Sequence, residues 1–540
     1  MPTGRPLDDA TIIGGGPGGL YLSILLKRDW PDTDVRVLER NRSDDTYGFG
    51  VAFHEQTLRA LAEADAPSRA ALDEILTPWD DVFFSVRGFE HRVSGHGFAG
   101  CSRHRLLEML QHRAAELGVE IVFESEASAD DFGGAALVVA ADGANSRTRD
   151  AHADHFGPTV VARPNRFVWL GTTRPLDAMS FFFAEVPSGV FVAHAYPHTP
   201  ELGTWIVEAD EETFLASGLD VHDEQATATF LESVFRDQLD DHPLIVNHSH
   251  WRQFPAIRCE RWVMGNLALL GDAKATVHYS IGSGTRIAME DAVGLHRALG
   301  SAATIADALG RYERERRPVV EELQRVAWGS MRWFETYRRR WAMDPAQFIL
   351  SGVTRKTNET YGSVGAKSPE LVRAATSAMV GSELVAEPGD PVALPIEVGS
   401  QHLRTRLVST GRAGANPEPD DPASEVTELT VIDLGDCRQA AAAGDAFRAA
   451  AVASAGESPL GVRVAAGDSA MEVAAACAAA GARFVDVTGG TTSTDAEQRL
   501  AADLIRHTLG VPTVVFVDDV DDANTMLATG RADLVMLRSS

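Results

Sequence analysis

The order of apolar and polar positions along the chain predicts a mixture of strands and helices. The apolar start of TIIGGGPGG leads through a glycine turn into a helix over Leu20 to Arg28, and the next apolar strand, Val35 to Leu38, ends at Glu39. In the stretch that begins at Arg166, the segments FFFAEV, VFVAHAY and GTWIVEA predict antiparallel strands that wall a cavity. From about residue 429, strand-like and Ala-rich segments alternate, which predicts a parallel sheet covered by helices.

The glycine turn has the spacing GxGxxG and the chemistry of a dinucleotide site. The first glycine permits a tight turn, the second lets backbone N–H groups approach a pyrophosphate, and the third lets the helix pack on the strand. The acidic residue at the end of the second strand accepts a hydrogen bond from a ribose hydroxyl, and its charge favours FAD or NAD over a 2′-phosphorylated nucleotide. The residues expected to bind the cofactor here are Gly14, Gly16, Pro17, Gly19, Glu39 and Arg40.

Together these patterns predict an α/β fold class. A Rossmann-like dinucleotide-binding domain with an interposed antiparallel substrate-domain sheet is followed by a small C-terminal βα-repeat domain. The segment Glu387 to Pro422 is dense in Gly, Pro, Asp and Glu, which is typical of a linker. The expected boundaries are 1–375 for the first domain (nucleotide-binding parts about 1–160 and 255–375, sheet about 160–255), 376–425 for the linker and 426–540 for the last domain.

Composition narrows the classes of protein that fit. The formal net charge of −28 disfavours nucleic acid or an anionic membrane as a partner. The four cysteines lie far apart without CxxC spacing, so neither a metal site nor a disulfide framework is predicted. No apolar run reaches the roughly 18 residues of a membrane span, and the N-terminus lacks the order of a signal peptide. We therefore expect a cytoplasmic protein without a metal.

Two segments are candidates for holding the phosphate and sugar parts of a cofactor. Arg103 opens a predicted helix that runs to about Leu117, where its guanidinium can clamp phosphate oxygens. The apolar strand Leu137 to Val139 ends in a DGxxSxxR pattern that begins with Asp142 and Gly143.

A third segment is suited to a flavin ring. The strand at residues 267–270 leads into Asp272, and Gly282 and Gly284 then precede a predicted helix over Ala288 to Leu299. Glycines ahead of a helix N-terminus allow the close approach of an electron-rich group, such as a flavin ring that gains negative charge on reduction. Asp272 is expected to bind the ribityl hydroxyls.

The order of these motifs resembles the single-component FAD-dependent aromatic hydroxylases of the para-hydroxybenzoate hydroxylase type. The branch of salicylyl-CoA 5-hydroxylase and 2-aminobenzoyl-CoA monooxygenase is most similar, on the motifs GGGPGGLYLSILLK, ER-x-R-x-DDT-x-G-x-GV-x-F, HYSIGSGTRIAMEDA, YERERRP, WFE and DPAQF. These motifs span roughly the first 370 residues. The chain departs from the usual GDAAH motif, because Lys274 and Ala275 follow Gly271-Asp272-Ala273.

The resemblance implies a reaction as well as a fold. NADH or NADPH reduces the FAD, O₂ is captured as a C4a-hydroperoxyflavin, and the distal oxygen passes to an electron-rich aromatic ring. The protein then has to exclude water, orient the ring and direct protons. We find no second GxGxxG, in keeping with transient docking of the nicotinamide nucleotide.

The active cavity is expected to combine the loop beside the flavin, the strand wall and the segment before the second glycine turn. His194 in the strand FVAHAY can relay a proton if it faces the cavity, although a structural role is the alternative. His278 and Tyr279 adjoin the flavin turn, and we expect both to be catalytic. The residues expected to contact the substrate are Tyr47, Phe49, Tyr196 and Trp205.

A CoA thioester carries phosphates that an acidic protein must neutralise locally. The candidates are arginines of the predicted long helix before residue 345, and a solvated helix face with Glu–Arg pairs explains them equally well. These arginines are Arg311, Arg314, Arg316, Arg317, Arg338, Arg339 and Arg340.

The C-terminal part resembles a shortened old-yellow-enzyme-like (β/α)₈ barrel. Leu403 to Ser409 looks like the first strand of that barrel, and Asn524 to Leu537 looks like its last unit. A complete barrel takes about 250 residues and only about 150 remain here, while Val517 and Asp518 replace the phosphate-binding glycine. We therefore expect a barrel relic without FMN that serves packing or formation of a homodimer.

Three functions follow from the sequence. The first is hydroxylation of a salicylyl- or anthraniloyl-type aryl-CoA thioester with NAD(P)H and O₂. The second is hydroxylation of a free or carrier-bound aromatic natural-product intermediate. The third is a non-catalytic flavin-binding sensor or assembly protein, which substrate-stimulated NAD(P)H oxidation distinguishes from the other two.

Overall fold

The fold is described from a computed structural model of the chain. It forms two compact units, Met1–Glu335 and Thr336–Ser540. The structure describes residues 7–46, 48–356, 359–380, 391, 396–398, 401–403, 406, 408–409, 427–428, 430–433, 460–465, 470–480, 482–488 and 495–537.

A six-stranded sheet in the first unit carries the glycine turn. Its apolar strands pair in parallel except at one edge, and the first strand lies between the second strand and the strand Leu137–Ala140. The predicted βα unit is therefore present, with the helix at Pro17–Asp29. The strand order is Val263–Met264, Leu267–Leu269, Leu137–Ala140, Asp9–Ile13, Asp34–Leu38 and Glu120–Val122.

An eight-stranded, mostly antiparallel sheet forms the second layer of this unit, as the alternating segments predict. Seven strands lie in the order Leu244–Ile245, Pro158–Thr172, Gly203–Ala209, Gly189–Pro197, Met179–Val186, Val82–Val86 and Phe89–Val93. The eighth strand, Arg252–Cys259, pairs with Pro158–Thr172. Because side chains alternate between the two faces of each strand, one face of this sheet packs on helices and the other is left for the cavity.

A small sheet and the helices complete the first unit. The small sheet has the strands Gly50–His54, Phe98–Ser102 and Thr77–Trp79. The helix Pro17–Asp29 contacts Gly284–Ser301 and Arg103–Glu116, which brings three of the predicted motifs to one region. The remaining α-helices are Glu55–Ala64, Ala66–Asp73, Arg147–Ala151, Ala153–Phe156, Glu211–Ser217, Glu224–Val234, Arg236–Leu239 and Ile305–Thr336.

The second unit contains the predicted parallel sheet. Its strands pair in sequence order at Thr430–Asp433, Leu460–Ala465, Phe484–Thr488, Thr513–Val517 and Leu534–Leu537. Short strands pair Ile396–Val398 with Gln401–Leu403 and Val408–Ser409 with Thr427–Glu428. The described α-helices are Pro345–Val353, Tyr361–Lys367, Pro369–Val380, Ala470–Ala479, Asp495–Leu509 and Val520–Ala528.

The boundary between the units differs from the expected one at residue 375. The helices that precede residue 380 belong to the second unit, because their polar groups and side chains are bonded to its last helix. Tyr361 N donates to Thr525 Oγ1 at 2.6 Å, and Gly362 N donates to Asp521 Oδ1 at 2.5 Å. Of the expected linker, residues 376–380 continue a helix, and most of the rest lies outside the described residues.

The segments that resemble the first and last parts of a barrel contact each other. Val535 N donates to Arg406 O at 3.0 Å, so the segment around Arg406 lies beside the last strand of the sheet. The first and last strands of a closed barrel have this relation. The barrel relic as a whole remains a prediction, since much of residues 381–494 lies outside the described part of the chain.

Candidate active site

The three glycines of the first turn differ in what surrounds them. Gly14 has φ +109°, and a Cβ there would lie 2.3 Å from Ala141 O. A Cβ on Gly19 would lie 2.2 Å from Gly14 O, so both positions are closed by backbone. A Cβ on Gly16 would meet no atom within 4 Å. Gly16 therefore borders open space at the N-terminus of a helix, which is the cradle that a pyrophosphate requires.

Glu39 lies directly beside this turn. Its Oε2 accepts from Gly15 N at 2.7 Å, and its Oε1 accepts from the backbone and side-chain nitrogens of Asn41 at 2.9 and 2.7 Å. Pro17 begins the helix and is buried, whereas Arg40 is exposed. The carboxylate is thus held beside the glycine turn at the end of the second strand, where an acid can accept a hydrogen bond from a ribose hydroxyl.

The DGxxSxxR loop presents an acceptor to the same region. Asp142 Oδ2 accepts from Thr148 N at 3.3 Å, while Oδ1 is buried and has no hydrogen-bond partner among the described residues. Gly143 has φ +78°. The buried Arg149 donates to Ala144 O at 2.9 Å and to Ala273 O at 3.4 Å, which ties this loop to the second glycine turn. An orphaned buried carboxylate oxygen fits a ligand hydroxyl or N–H.

Arg103 and Asp272 both line the cavity, and each affects the pKa of the other. Burial lowers the pKa of Arg103, and Asp272 acts against that shift. Burial also raises the pKa of Asp272, opposed by Arg103 and Lys274. Gly282 has φ +64°, and a Cβ on Gly284 would meet nothing within 4 Å. Polar groups and open backbone are therefore available together for a flavin.

A cavity of about 380 Å³ joins these groups to the antiparallel sheet. It brings together eight residues that the sequence predicts for the site, namely Phe49, Arg103, His194, Tyr196, Asp272, Tyr279, Gly282 and Gly284. Tyr47 lies outside the described residues. The wall also contains Phe167, Trp169, Ile206 and Phe254, which supply an apolar surface for a flat ring.

His194 is paired with a buried carboxylate inside the sheet. His194 Nε2 lies 3.2 Å from Glu208 Oε2, and both side chains are almost completely buried. Glu208 Oε1 accepts from Asn165 Nδ2 at 2.7 Å. Burial acts to raise the pKa of Glu208, but the bond from His194 and the nearby His278 lower it below its ordinary value. The carboxylate therefore holds one ring nitrogen of His194 in the protonated form.

Tyr279 and His278 continue this cluster toward the second glycine turn. Burial and then Glu208 raise the pKa of Tyr279 well above its ordinary value, so its hydroxyl stays protonated. The His278 ring lies 4.1 Å from the Tyr279 ring, and His278 Nδ1 lies 2.8 Å from Ser280 Oγ. Ser280 Oγ lies 2.7 Å from Ser330 Oγ. His278 thus packs on Tyr279, which lines the cavity, but His278 itself is not one of the lining residues.

Trp205 lies on the other face of the sheet. In the paired strands, Ala195 is opposite Trp205 and His194 is opposite Ile206, so Trp205 points away from the cavity. Its ring stacks on Phe182 at 5.2 Å and is fully buried among apolar side chains. The expectation that Trp205 contacts the substrate is therefore wrong, because strand alternation turns it into the core.

Tyr196, two positions from His194, does face the cavity. Its hydroxyl donates to Gly50 O at 2.8 Å, and its ring stacks on Trp79 at 5.8 Å. Burial raises the pKa of the Tyr196 hydroxyl. This tyrosine braces the small sheet against the cavity wall.

Lys274, which departs from the usual GDAAH motif, lies in the core of the first unit. Lys274 is fully buried, its Nζ lies 2.8 Å from Asp291 Oδ2 and 3.9 Å from the centre of the Trp262 ring, and it does not line the cavity. Burial lowers the pKa of Lys274, and Asp291 opposes that shift. Arg316 completes the cluster through Asp291 Oδ1 at 2.9 Å.

The other arginines of the long helix are also engaged. Arg311 pairs with Glu315 at 2.7 Å, and Arg317 pairs with Glu313 and donates to two backbone carbonyls. In the second unit, Arg340 is buried against Asp503, while Arg338 and Arg339 are exposed. The alternative of a helix face with ion pairs therefore accounts for Arg311, Arg316 and Arg317.

Sequence reasoning missed Glu208 and Asn165. Glu208 is the next-to-last residue of the alternating segment GTWIVEA, and an acid near the end of a strand usually faces water. The position of Glu208 could have indicated its role. The even-numbered residues of that segment share a face with His194 once the two strands are paired.

Neither a metal site nor a membrane-spanning helix is found among the described residues. No group of three or more His, Cys, Asp or Glu side chains in the described ranges is arranged to hold a metal. None of the helices in that part of the chain combines the length and hydrophobicity of a membrane span.

The fold and the two glycine turns define a flavin-binding protein of the Rossmann-like type. The FAD binding domain family matches residues 8–136 and 134–327, and the chain belongs to this family. A solved structure of 2-methyl-3-hydroxypyridine-5-carboxylic acid oxygenase in its tetrameric form has the same fold, with a TM-score of 0.52 and 20% identity, over 68% of this chain and 97% of that one.

Two relatives of this chain are enzymes with a named activity. The salicyloyl-CoA 5-hydroxylase of a Streptomyces species is 39% identical over 97% of this chain and 98% of its own length. The 3-hydroxy-4-methyl-anthranilyl-[aryl-carrier protein] 5-monooxygenase of Streptosporangium sibiricum is 37% identical over 60% of this chain and 88% of its own length. The chain is accordingly a FAD-dependent monooxygenase, and a non-catalytic sensor or assembly role is set aside.

Proposed function

We propose that this protein adds a hydroxyl group to the ring of a salicylyl- or anthraniloyl-type aryl-CoA thioester, with NADH or NADPH and O₂ as co-substrates. The observation that carries the proposal is the match to a salicyloyl-CoA 5-hydroxylase over 97% of this chain, which includes the C-terminal unit. The aromatic wall of Phe167, Trp169 and Phe254 provides the surface on which such a ring can lie.

FAD fits the residues that are present. The open space at Gly16, the carboxylate of Glu39, the orphaned oxygen of Asp142 and the backbone at Gly284 suit its pyrophosphate, ribose and ring. When bound, FAD supplies the activation of oxygen that no side chain can provide. The apolar wall supports that chemistry by excluding water.

We assign His194 the role of accepting the proton of the ring hydroxyl. An electron-rich ring is hydroxylated more readily as its phenolate, and a positioned imidazole can take the phenolic proton. Glu208 is a positioning residue, because its carboxylate lies 3.2 Å from Nε2 of His194 and orients the ring in the cavity wall. Tyr279 and His278 shape the side of the cavity next to the flavin turn.

The test uses the purified FAD-loaded protein with salicyloyl-CoA, 2-aminobenzoyl-CoA and the two free acids. We expect NADH or NADPH oxidation to rise with a thioester, and a product heavier by one oxygen. Hydroxylation of the free acids with no turnover of the thioesters would contradict the proposal.

A carrier-bound substrate is the second candidate. The relative from Streptosporangium sibiricum, which is 37% identical, is named for an aryl group on an aryl-carrier protein. The discriminating experiment offers the same aryl group on CoA and on a phosphopantetheinylated carrier protein. A higher kcat/KM with the carrier protein would favour this candidate.

A further inference from the structure

One strand of the large sheet leads from the aromatic wall to a basic group. Phe254 lies in the strand Arg252–Cys259, and its ring is 4.8 Å from His278 and 6.2 Å from Tyr279. Arg252 is opposite Phe167 in the paired strands, and both residues line the cavity. Since a strand rises about 3.3 Å per residue, Arg252 lies about 7 Å further along the cavity than Phe254.

Arg252 differs from the other arginines around this site in having no anionic partner. It is exposed, and no carboxylate or hydrogen-bond acceptor binds it within the described part of the chain. On the same strand, Arg258 Nη2 lies 2.9 Å from Glu321 Oε1, outside the cavity. In a chain with a net charge of −28, an uncommitted guanidinium at a cavity is a candidate for an anionic ligand.

The loop before this strand adds two histidines to the cavity lining, His248 and His250. His248 adopts φ +51°, a conformation that costs energy in a residue with a side chain. The loop is held in place from both sides: Asn247 Nδ2 donates to Thr46 O at 3.1 Å, and Ser249 Oγ donates to Trp169 O at 2.6 Å. A fixed loop with a strained backbone indicates that the orientation of its side chains matters.

We call His248, His250 and Arg252 the basic mouth. Its charged surroundings include Glu224, whose Oε1 lies 3.6 Å from His250 Nε2, and His222, whose ring lies 5.4 Å from that of His250. The carboxylate is therefore engaged with a histidine, and the guanidinium of Arg252 is left for a ligand.

We propose that the basic mouth binds the phosphate groups joined to the far end of the pantetheine arm of the thioester substrate, an inference that rests on the proposed function. With the ring against Phe254 and Tyr279, the thioester arm leaves the cavity along the strand and passes Arg252. A guanidinium offers paired donors that match phosphate oxygens, and the histidines add further donors. This subsite distinguishes the thioester from the free acid, which carries no phosphate.

The test compares two substrates that share the ring and the thioester. Salicyloyl-CoA carries the phosphates, whereas the N-acetylcysteamine thioester of salicylate ends before them. For Arg252→Ala we expect the ratio of KM for the CoA thioester to KM for the short thioester to rise about fivefold, the size expected for one exposed charge pair. The matched control is Arg258→Ala, which removes an arginine from the same strand and leaves the ratio unchanged.

Each outcome of this comparison either supports or overturns phosphate binding at the basic mouth. A ratio that rises in Arg252→Ala, with a greater dependence of KM on ionic strength for the CoA thioester in the wild type than in the variant, supports the basic mouth. An unchanged ratio, or an equal rise in Arg258→Ala, overturns it. If the wild-type protein hydroxylates neither thioester, the proposed function itself fails and this subsite is withdrawn with it.

Discussion

The pairing of His194 with Glu208 shows how strand register decides the chemistry of a residue. The two side chains lie diagonally across neighbouring strands, because Glu208 is opposite Val192 and His194 is opposite Ile206. A sequence indicates that His194 belongs to an alternating strand, but the partner on the next strand depends on register. The histidine was therefore predictable, and the carboxylate that orients it was not.

Replacement of Glu208 by Gln tests the positioning role. The amide keeps an acceptor for Asn165 but removes the charge that holds His194. We therefore expect kcat for hydroxylation to fall at least about tenfold, and at most by the factor of about 10²–10⁴ that general base catalysis contributes. The pH profile of hydroxylation should also change, because the charge beside the proposed proton acceptor is removed. Unchanged kcat and an unchanged pH profile would show that the pair is structural. The measurement is product formation per NAD(P)H consumed, from pH 6 to 9 in roughly half-unit steps.

We also expect the effect of Glu208→Gln on the free energy of unfolding to depend on pH. The pKa of Glu208 is lowered in the folded protein from 4.5, so its charged form stabilises the fold above that pH and this contribution is lost as the pH falls through the folded value. We expect the difference in free energy of unfolding between wild type and Glu208→Gln to be about 1–3 kcal/mol near neutrality and to shrink below pH 4.5. Urea unfolding at several pH values measures it, and a difference that grows in acid would contradict the assignment.

Lys274 illustrates the limit of a motif comparison. The sequence indicates a departure beside the flavin turn, but the side chain points into the core and meets Asp291 and Trp262. A motif reports which residues are present, whereas the direction of a side chain follows from the helices packed around it. Its consequence for flavin contact could not be predicted from the spacing alone.

At the scale of elements, the first βα unit agrees closely with its sequence pattern. The predicted helix over Leu20 to Arg28 is observed at Pro17–Asp29, and the predicted strand Val35 to Leu38 at Asp34–Leu38. Apolar periodicity and glycine spacing act locally, so they predict such units well. The pairing of Arg252–Cys259 with Pro158–Thr172 joins segments far apart in sequence, and no local pattern reports it.

The glycine turn offers a prediction that separates folding from cofactor binding. In Gly16→Ala the new Cβ meets only open space, so we expect normal folding with weakened FAD binding. In Gly19→Ala the Cβ would lie 2.2 Å from Gly14 O, so we expect loss of folded protein. The yield of folded protein by circular dichroism and the flavin absorbance per chain distinguish the two effects. Equal loss of fold in both variants would contradict the assigned roles.

At the scale of the whole molecule, the division into units was only partly predictable. Composition marks the segment after residue 387, but the helices before residue 380 join the second unit through bonds such as Tyr361 N to Thr525 Oγ1. Such helices are amphipathic whichever sheet they cover, so their sequence pattern does not show which of the two units they pack on. The expected boundary at residue 375 therefore fell inside the second unit.

The flavin content of the whole protein is the corresponding prediction. One GxGxxG turn lies in the first unit, and Asp518 follows the strand of the second unit where a phosphate-binding glycine was expected. We expect one FAD per chain and no FMN after denaturation and chromatographic quantification of the released flavin, because a carboxylate repels a phosphate. Release of FMN in equal amount would identify a second flavin site.

The even-numbered positions of the strands Gly189–Pro197 and Gly203–Ala209 share the face on which His194, Tyr196 and Ile206 line the cavity, and the odd-numbered positions face the opposite core. A substitution at Ile206 can therefore change which ring is accepted while Trp205 and Val207 keep the scaffold intact. Residues on the cavity face of these strands can be substituted without changing the residues on the opposite face. Substrate range in this chain can diverge at little cost to the stability of the sheet that holds it.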